Sequence, residues 1–127
     1  MRLDHLDLNV SDLGASMAFY LAVLSPLGYQ MADAGEGWQV LRGPEDYLCL
    51  VQTEAPYLEP DFHRKRTGVN HLAFRVADRE AFEAYLAHLE HLRVPLLYGG
   101  PLEKPGQVAC YFEDPDRMKL EVVCRGL

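Results

Sequence analysis

Positive charge is scarce in this chain: 12 Lys and Arg stand against 19 Asp and Glu, giving a formal charge of −7 and an isoelectric point near 5.1. The acidic side chains are scattered, so no basic face is available to neutralise phosphates, and nucleic acid is excluded as a partner. Long apolar runs are missing as well. No window reaches the roughly 18 apolar residues that a membrane helix needs, and the first residues lack the apolar centre of a signal peptide. A cytoplasmic protein with no membrane partner is expected. Cysteine is sparse and odd in number, Cys49, Cys110 and Cys124, with no framework spacing. In a reducing compartment this predicts free thiols and no structural disulfide.

What the sequence does contain is a repeat. Residues 4–12 read Asp-His-Leu-Asp-Leu-Asn-Val-Ser-Asp, and residues 70–78 read Asn-His-Leu-Ala-Phe-Arg-Val-Ala-Asp. His5 and His71 stand 71 − 5 = 66 residues apart, and so do Asp12 and Asp78. A helical pattern follows each His strand. In the first copy Ser11 or Asp12 caps it, with Leu13, Met17, Leu21 and Leu24 at helical spacing; in the second Asp78 caps it, with Phe82, Tyr85, Leu86 and Leu89 on one face. Short β-like runs come next. The first copy has Tyr29–Ala32, Trp38–Arg42, the turn Gly43-Pro44-Glu45-Asp46, and Tyr47–Gln52. The second has Val94–Tyr98, a Gly- and Pro-rich loop, Gln107–Phe112, the turn Asp114-Pro115-Asp116-Arg117, and Met118–Cys124. The order is βαβββ twice, an α+β fold of two modules, residues 1–53 and 69–127, joined by a linker at 54–68 within a single domain of residues 1–127. With 49% apolar residues the chain can fill a core, and two copies are too few for a solenoid.

Strand parity separates the histidines from the core. Leu6, Leu8 and Val10 share one face of the first strand and His5, Asp7 and Asn9 the other; Leu72, Phe74 and Val76 likewise oppose His71 and Arg75. On the last strand Leu120 and Val122 are apolar and Glu121 points the other way. A carboxylate left unpaired inside a strand costs several kcal/mol. Two neutral imidazoles and one carboxylate would instead make a divalent-cation site with open positions.

At these residues the chain resembles the vicinal oxygen chelate superfamily, which includes glyoxalase I, extradiol dioxygenases, fosfomycin resistance enzymes and bleomycin resistance proteins. The resemblance covers nearly the whole sequence. It implies two βαβββ modules forming a U-shaped mixed sheet around a cleft, helices on the outer face, and a divalent metal ion (zinc, iron, manganese, nickel or cobalt) held by the first and last strands of each module. His5, His71 and Glu121 match three of the four ligand places, and Tyr111 through Glu121 resembles the closing hairpin. Cys49 falls at the fourth place, where glyoxalase I has a carboxylate or amide ligand; it is a candidate fourth ligand or a thiol packed beside the site. Tyr111 precedes Glu121 by ten residues, as in the dioxygenase signature, and the two are the candidate catalytic residues. That signature's turn glycine is Arg117 here, and its preceding histidine is absent from residues 99–110.

The run His63-Arg64-Lys65-Arg66 stands out in an acidic chain. His63 and Arg64 are candidate contacts to an anionic substrate, and Trp38 and Tyr47 fall on strands that would line the cleft, where they stack on a ligand or fill the core. The resulting expectation is a metal-dependent lyase or isomerase acting on a small-molecule, oxygen-rich substrate, as a homodimer by analogy with the superfamily. A metal-free binding protein of bleomycin-resistance type, to which a charge of −7 would steer a cationic ligand, and an extradiol-type dioxygenase are the alternatives.

Overall fold

In the computed structural model, which describes residues 1–127, each histidine-bearing repeat is a strand followed by a side-chain-capped helix. Two compact units result, Met1–Asp61 and Phe62–Leu127, and the boundary between them lies inside the expected linker.

In the first unit β1 (His5–Val10) alternates as its parity requires, with His5, Asp7 and Asn9 exposed and Val10 buried. Helix α1 (Leu13–Leu24) starts where Asp12 accepts a hydrogen bond from the Ala15 N–H at 3.0 Å, relieving one of the unpaired donors of a helix N-terminus. Of the two caps the sequence allowed, it is Asp12 that serves. Strands β2 (Gln30–Gly35), β3 (Trp38–Arg42) and β4 (Tyr47–Gln52) complete a sheet of order β1-β4-β3-β2, in which only β1 and β4 run parallel. The Gln52 side chain ties the end of β4 to the start of the helix: its Oε1 accepts from the Leu13 N–H at 2.8 Å and its Nε2 donates to the Ser11 carbonyl at 2.8 Å.

Two sequence expectations shift in this unit. The buried stripe of α1 is Ser16, Met17, Tyr20, Val23 and Leu24, and Leu21 is exposed. Apolar residues lie almost all round this helix, so spacing alone does not choose the face that packs. The strand placed at Tyr29–Ala32 begins one residue later and runs to Gly35, because Tyr29 turns inward, buried, with its hydroxyl donating to Asp46 Oδ1 at 2.5 Å. Gly43 is what lets that ring in. A Cβ there would sit 2.6 Å from it.

The second unit repeats the plan. β5 (His71–Val76) leads to α2 (Arg79–His91), capped by Asp78, which accepts from the Ala81 N–H at 2.8 Å. Phe82, Tyr85 and Leu89 are buried, each such side chain contributing about 1.5–3 kcal/mol on burial. Strands β6 (Leu102–Lys104), β7 (Gln107–Glu113) and β8 (Lys119–Arg125) give the order β5-β8-β7-β6, with β5 and β8 parallel. The strand expected at Val94–Tyr98 does not form. Arg93 and Tyr98 adopt left-handed backbone at φ 57° and 60°, Pro95 supplies no N–H, and Leu97–Gly99 is a single 3-10 turn. The second strand of the module falls instead within the Gly- and Pro-rich segment, as the short β6.

The glycines yield a paired prediction. Gly43→Ala forces the new methyl into the Tyr29 ring and should cost about 1–3 kcal/mol. Gly14→Ala, in the first turn of α1 with ordinary contact distance around its Cβ, should stabilise by about 0.4–1 kcal/mol. Urea unfolding of both variants measures the opposite signs.

Candidate functional site

In the second unit β5 and β8 run parallel in a register that sets His71 beside Lys119 and Ala73 beside Glu121, while the antiparallel β7 sets Tyr111 beside Glu121. Glu121 is buried, with 6% of its surface exposed. Its Oε2 lies 3.0 Å from His71 Nε2, and the Tyr111 hydroxyl donates to the same carboxylate. Burial, and then that carboxylate, raise the Tyr111 phenol above its ordinary range, so it stays protonated at neutral pH as a donor.

The residue before each histidine holds the ring. Asn70 Oδ1 lies 2.7 Å from His71 Nδ1, and the Asn70 amide nitrogen faces the Arg64 carbonyl at 3.5 Å. That carbonyl fixes which way the amide points. Oδ1 is therefore the acceptor from Nδ1, and Nε2 is the ring nitrogen turned toward Glu121. In the first unit Asp4 Oδ2 takes His5 Nδ1 at 2.7 Å, so His5 also presents Nε2. An acceptor that orients the far nitrogen of an imidazole is the usual outer-shell partner of a metal ligand. The His5 ring stacks on Tyr47 at 4.6 Å between centroids, and Arg42 covers Tyr47 at 4.9 Å. Cys49 pairs with Asp7 across β1 and β4. Burial, then the Asp7 carboxylate, raise its pKa and favour the thiol over the thiolate. Trp38, opposite Val51, is half-buried and packs over Gly35.

Arg64 is committed within its own unit. Its Nη1 donates to Glu113 Oε2 at 2.6 Å and to the Arg117 carbonyl at 3.1 Å. With Phe62, His63, Lys65, Glu113 and Arg117 it lines a polar cavity of about 290 Å³. The structure thus gathers His71, Glu121 and Tyr111 in one unit, and His5, Tyr47 and Cys49 on one sheet of the other. No group of three or more His, Cys, Asp or Glu side chains is assembled that could hold a metal ion; each unit holds one oriented imidazole.

Sequence reasoning missed four members of these sets. Asp4 and Asn70 had a signal, since they precede the two histidines in the repeat. Lys119 shares its face with Glu121 by parity, and Tyr98 falls in a segment expected as a strand that instead forms a 3-10 turn.

Residues 2–122 match the Glyoxalase/Bleomycin resistance protein/Dioxygenase superfamily. The chain belongs to it. Among relatives of this superfamily member, an uncharacterized Bacillus subtilis protein, YqjT, is 38% identical, covering 94% of this chain and 95% of its own. The metallothiol transferase FosB of Staphylococcus epidermidis is 27% identical, covering 94% of this chain and 78% of its own. A crystal structure from Bacillus halodurans, named as a candidate glyoxalase, superposes with a TM-score of 0.87 at 38% identity, covering 96% of this chain and 94% of that one.

The three thiols are free, with Cys110 and Cys124 buried and Cys49 half-buried. Burial pushes Cys110 up to about 12. A thiol raised in the folded state contributes stability that is complete below its unfolded pKa, near 9, and is lost as pH rises toward 12. Iodoacetamide at pH near 8 should therefore modify Cys49 first and leave Cys110 untouched until the protein unfolds, as mass spectrometry of the labelled peptides would show.

Proposed function

We propose that this superfamily member is a metal-dependent enzyme of lyase or isomerase type acting on a small oxygen-rich substrate, with His5, His71 and Glu121 as the metal ligands. The observation that carries the reading is the pair His71 Nε2 and Glu121 Oε2, 3.0 Å apart. Asn70 engages His71 Nδ1, so Nε2 is the ring nitrogen presented beside the buried Glu121 carboxylate, and an imidazole nitrogen next to a carboxylate oxygen is a donor pair that a divalent cation takes. The donor set, neutral imidazole and carboxylate, suits zinc, iron, manganese, nickel or cobalt. The relative named a metallothiol transferase supports a metal in this fold.

When bound, a divalent ion supplies Lewis-acid stabilisation of an enolate or oxyanion. The remaining work falls to the chain. Asp4 and Asn70 hold the imidazoles in one tautomer and one orientation. Tyr111 holds the Glu121 carboxylate from the side opposite β5 and offers a neutral hydroxyl close to the site. Cys49, favoured as a thiol, is a weak candidate for a fourth ligand unless a soft metal displaces its proton. Trp38 and Tyr47 are proposed as apolar walls for the substrate and His63 as a polar contact. Arg64, already bound to Glu113, would contribute by holding the loop that carries His63. A homodimer is proposed with this assignment.

Elemental analysis of protein purified without chelators or a polyhistidine tag tests the reading. Near-stoichiometric metal is expected in the parent and none in His71→Ala. Asn70→Leu should keep its melting temperature within a few degrees and weaken metal binding about 10–100-fold, the usual effect of losing an outer-shell partner. Iron in the parent would favour dioxygen chemistry. A parent that takes up no divalent ion even after add-back would overturn the enzyme reading in favour of metal-free binding of a cationic ligand.

A further inference from the structure

Lys119 stands next to His71 across the parallel pair and two residues before Glu121 on the same face of β8. Its ammonium forms no ion pair. The carboxylate opposite it in register, Glu113, is taken by Arg64. Instead, Nζ lies over two tyrosine rings, 5.7 Å from the Tyr98 centroid and 5.5 Å from that of Tyr111, and donates to the Tyr98 hydroxyl oxygen at 3.3 Å. The rings meet edge to face at 5.5 Å, and the Tyr111 ring meets His71 in the same way at 6.4 Å. A surface lysine ordinarily extends its charge into water. This one is drawn over aromatic faces beside the His71–Glu121 pair, and because it donates to Tyr98, the Tyr98 hydroxyl hydrogen is left to donate elsewhere.

Tyr98 is placed there at a cost. Its backbone is left-handed at φ 60° and ψ 21°, a conformation that a bulky L-residue rarely adopts. Gly99 and Gly100 follow it with positive φ, so glycine was available to this turn, yet the strained position holds a tyrosine whose side chain is exposed and whose hydroxyl meets an ammonium. Strain of this kind concentrates at ligand-binding positions.

We propose that Lys119 and Tyr98 form an oxyanion subsite that receives a carboxylate or phosphoryl group of the substrate, making the substrate class anionic. The proposal rests on the metal-dependent reading for its chemistry, but an anion subsite is measurable without it. Two donors, one charged, about a hydrogen bond apart and backed by two rings match an oxyanion with two accessible oxygens. A cationic ligand would meet the ammonium with like charge, and a neutral one would make only the weaker, singly charged hydrogen bond.

The test titrates oxalate calorimetrically into the full chain, once loaded with manganese and once after exhaustive dialysis free of metal, with acetohydroxamic acid, uncharged at neutral pH, as the comparison chelator. Lys119→Met keeps the apolar stem and removes the charge. It should weaken oxalate about tenfold to a hundredfold in whichever form of the parent binds it. Hydroxamate affinity and manganese stoichiometry should change less than about twofold. Tyr98→Phe should weaken oxalate by a smaller factor, and Lys119→Arg should restore most of the affinity. Oxalate binding that depends on Lys119 in a parent that takes up no manganese would sustain the subsite while refuting the metal reading. Oxalate affinity unchanged in Lys119→Met, equal losses for oxalate and hydroxamate, or no oxalate binding by either form of the parent would overturn the proposal.

Discussion

The parallel pairing of the first and last strands of a module is the constraint from which the chemistry follows. Parallel strands place residues side by side in a fixed slanted register, and in the second unit that register puts His71 against Lys119 and Ala73 against Glu121. Shifting β8 by one residue would turn Leu120 and Val122, both fully buried, to the face that now carries Glu121. The hydrophobic requirement of α2 and its sheet therefore also fixes where the carboxylate points. Small Ala73 beside Glu121 leaves room for the His71 ring to reach it, and Tyr111 closes the other side. Core packing and site geometry are two consequences of one register.

The first unit uses the same pairing for different contents. β1 and β4 place His5 against Tyr47, where the rings stack, and Asp7 against Cys49. Where the second unit has a lysine beside its histidine and a glutamate one step further along, the first has an aromatic ring and a thiol. The conserved feature of the two copies is the acceptor before the histidine, a carboxylate in one and an amide in the other. The carboxylate at Asp4 is the stronger acceptor and strengthens donation through His5 Nε2. The amide at Asn70 orients its ring without adding a charge.

The sequence disclosed whatever depends on short-range pattern. The repeat located β1, β5 and both helix starts, because an alternating strand followed by an Asp cap is a local signal. Parity correctly turned both histidines and Glu121 away from the helices. The misses share a physical cause. Leu21 fits the inward spacing yet is exposed, because α1 is apolar on most of its circumference and periodicity carries no direction. Val94–Tyr98 looked like a strand from its Val, Leu and Tyr, but the left-handed conformations at Arg93 and Tyr98 come from the way the chain must turn around Pro95 and the two glycines, which composition does not encode. Losing that segment as a strand is what brings Tyr98 to Lys119. The oxyanion pair was therefore invisible until the turn was seen.

Arg64, from the basic run ahead of β5, is used by the turn between β7 and β8. Arg117 occupies a left-handed position, φ 62°, where a non-glycine residue costs roughly 1–2 kcal/mol. Arg64 reaches the turn and donates to the Arg117 carbonyl and to Glu113, while the buried Asp114 Oδ1 accepts from the backbone N–H groups of Asp116 and Met118, each at 2.8 Å. Charge-assisted bonds of this kind offset strain of that size. They also have an electrostatic effect across the strands. Glu113 is the carboxylate in register with Lys119, and a glutamate free to swing over would neutralise the ammonium and occupy its donors. Because Arg64 engages Glu113 first, the clamp that steadies a glycine-free turn leaves the lysine charge uncompensated, facing the ground between His71 and Tyr98 where an anionic group would be recognised.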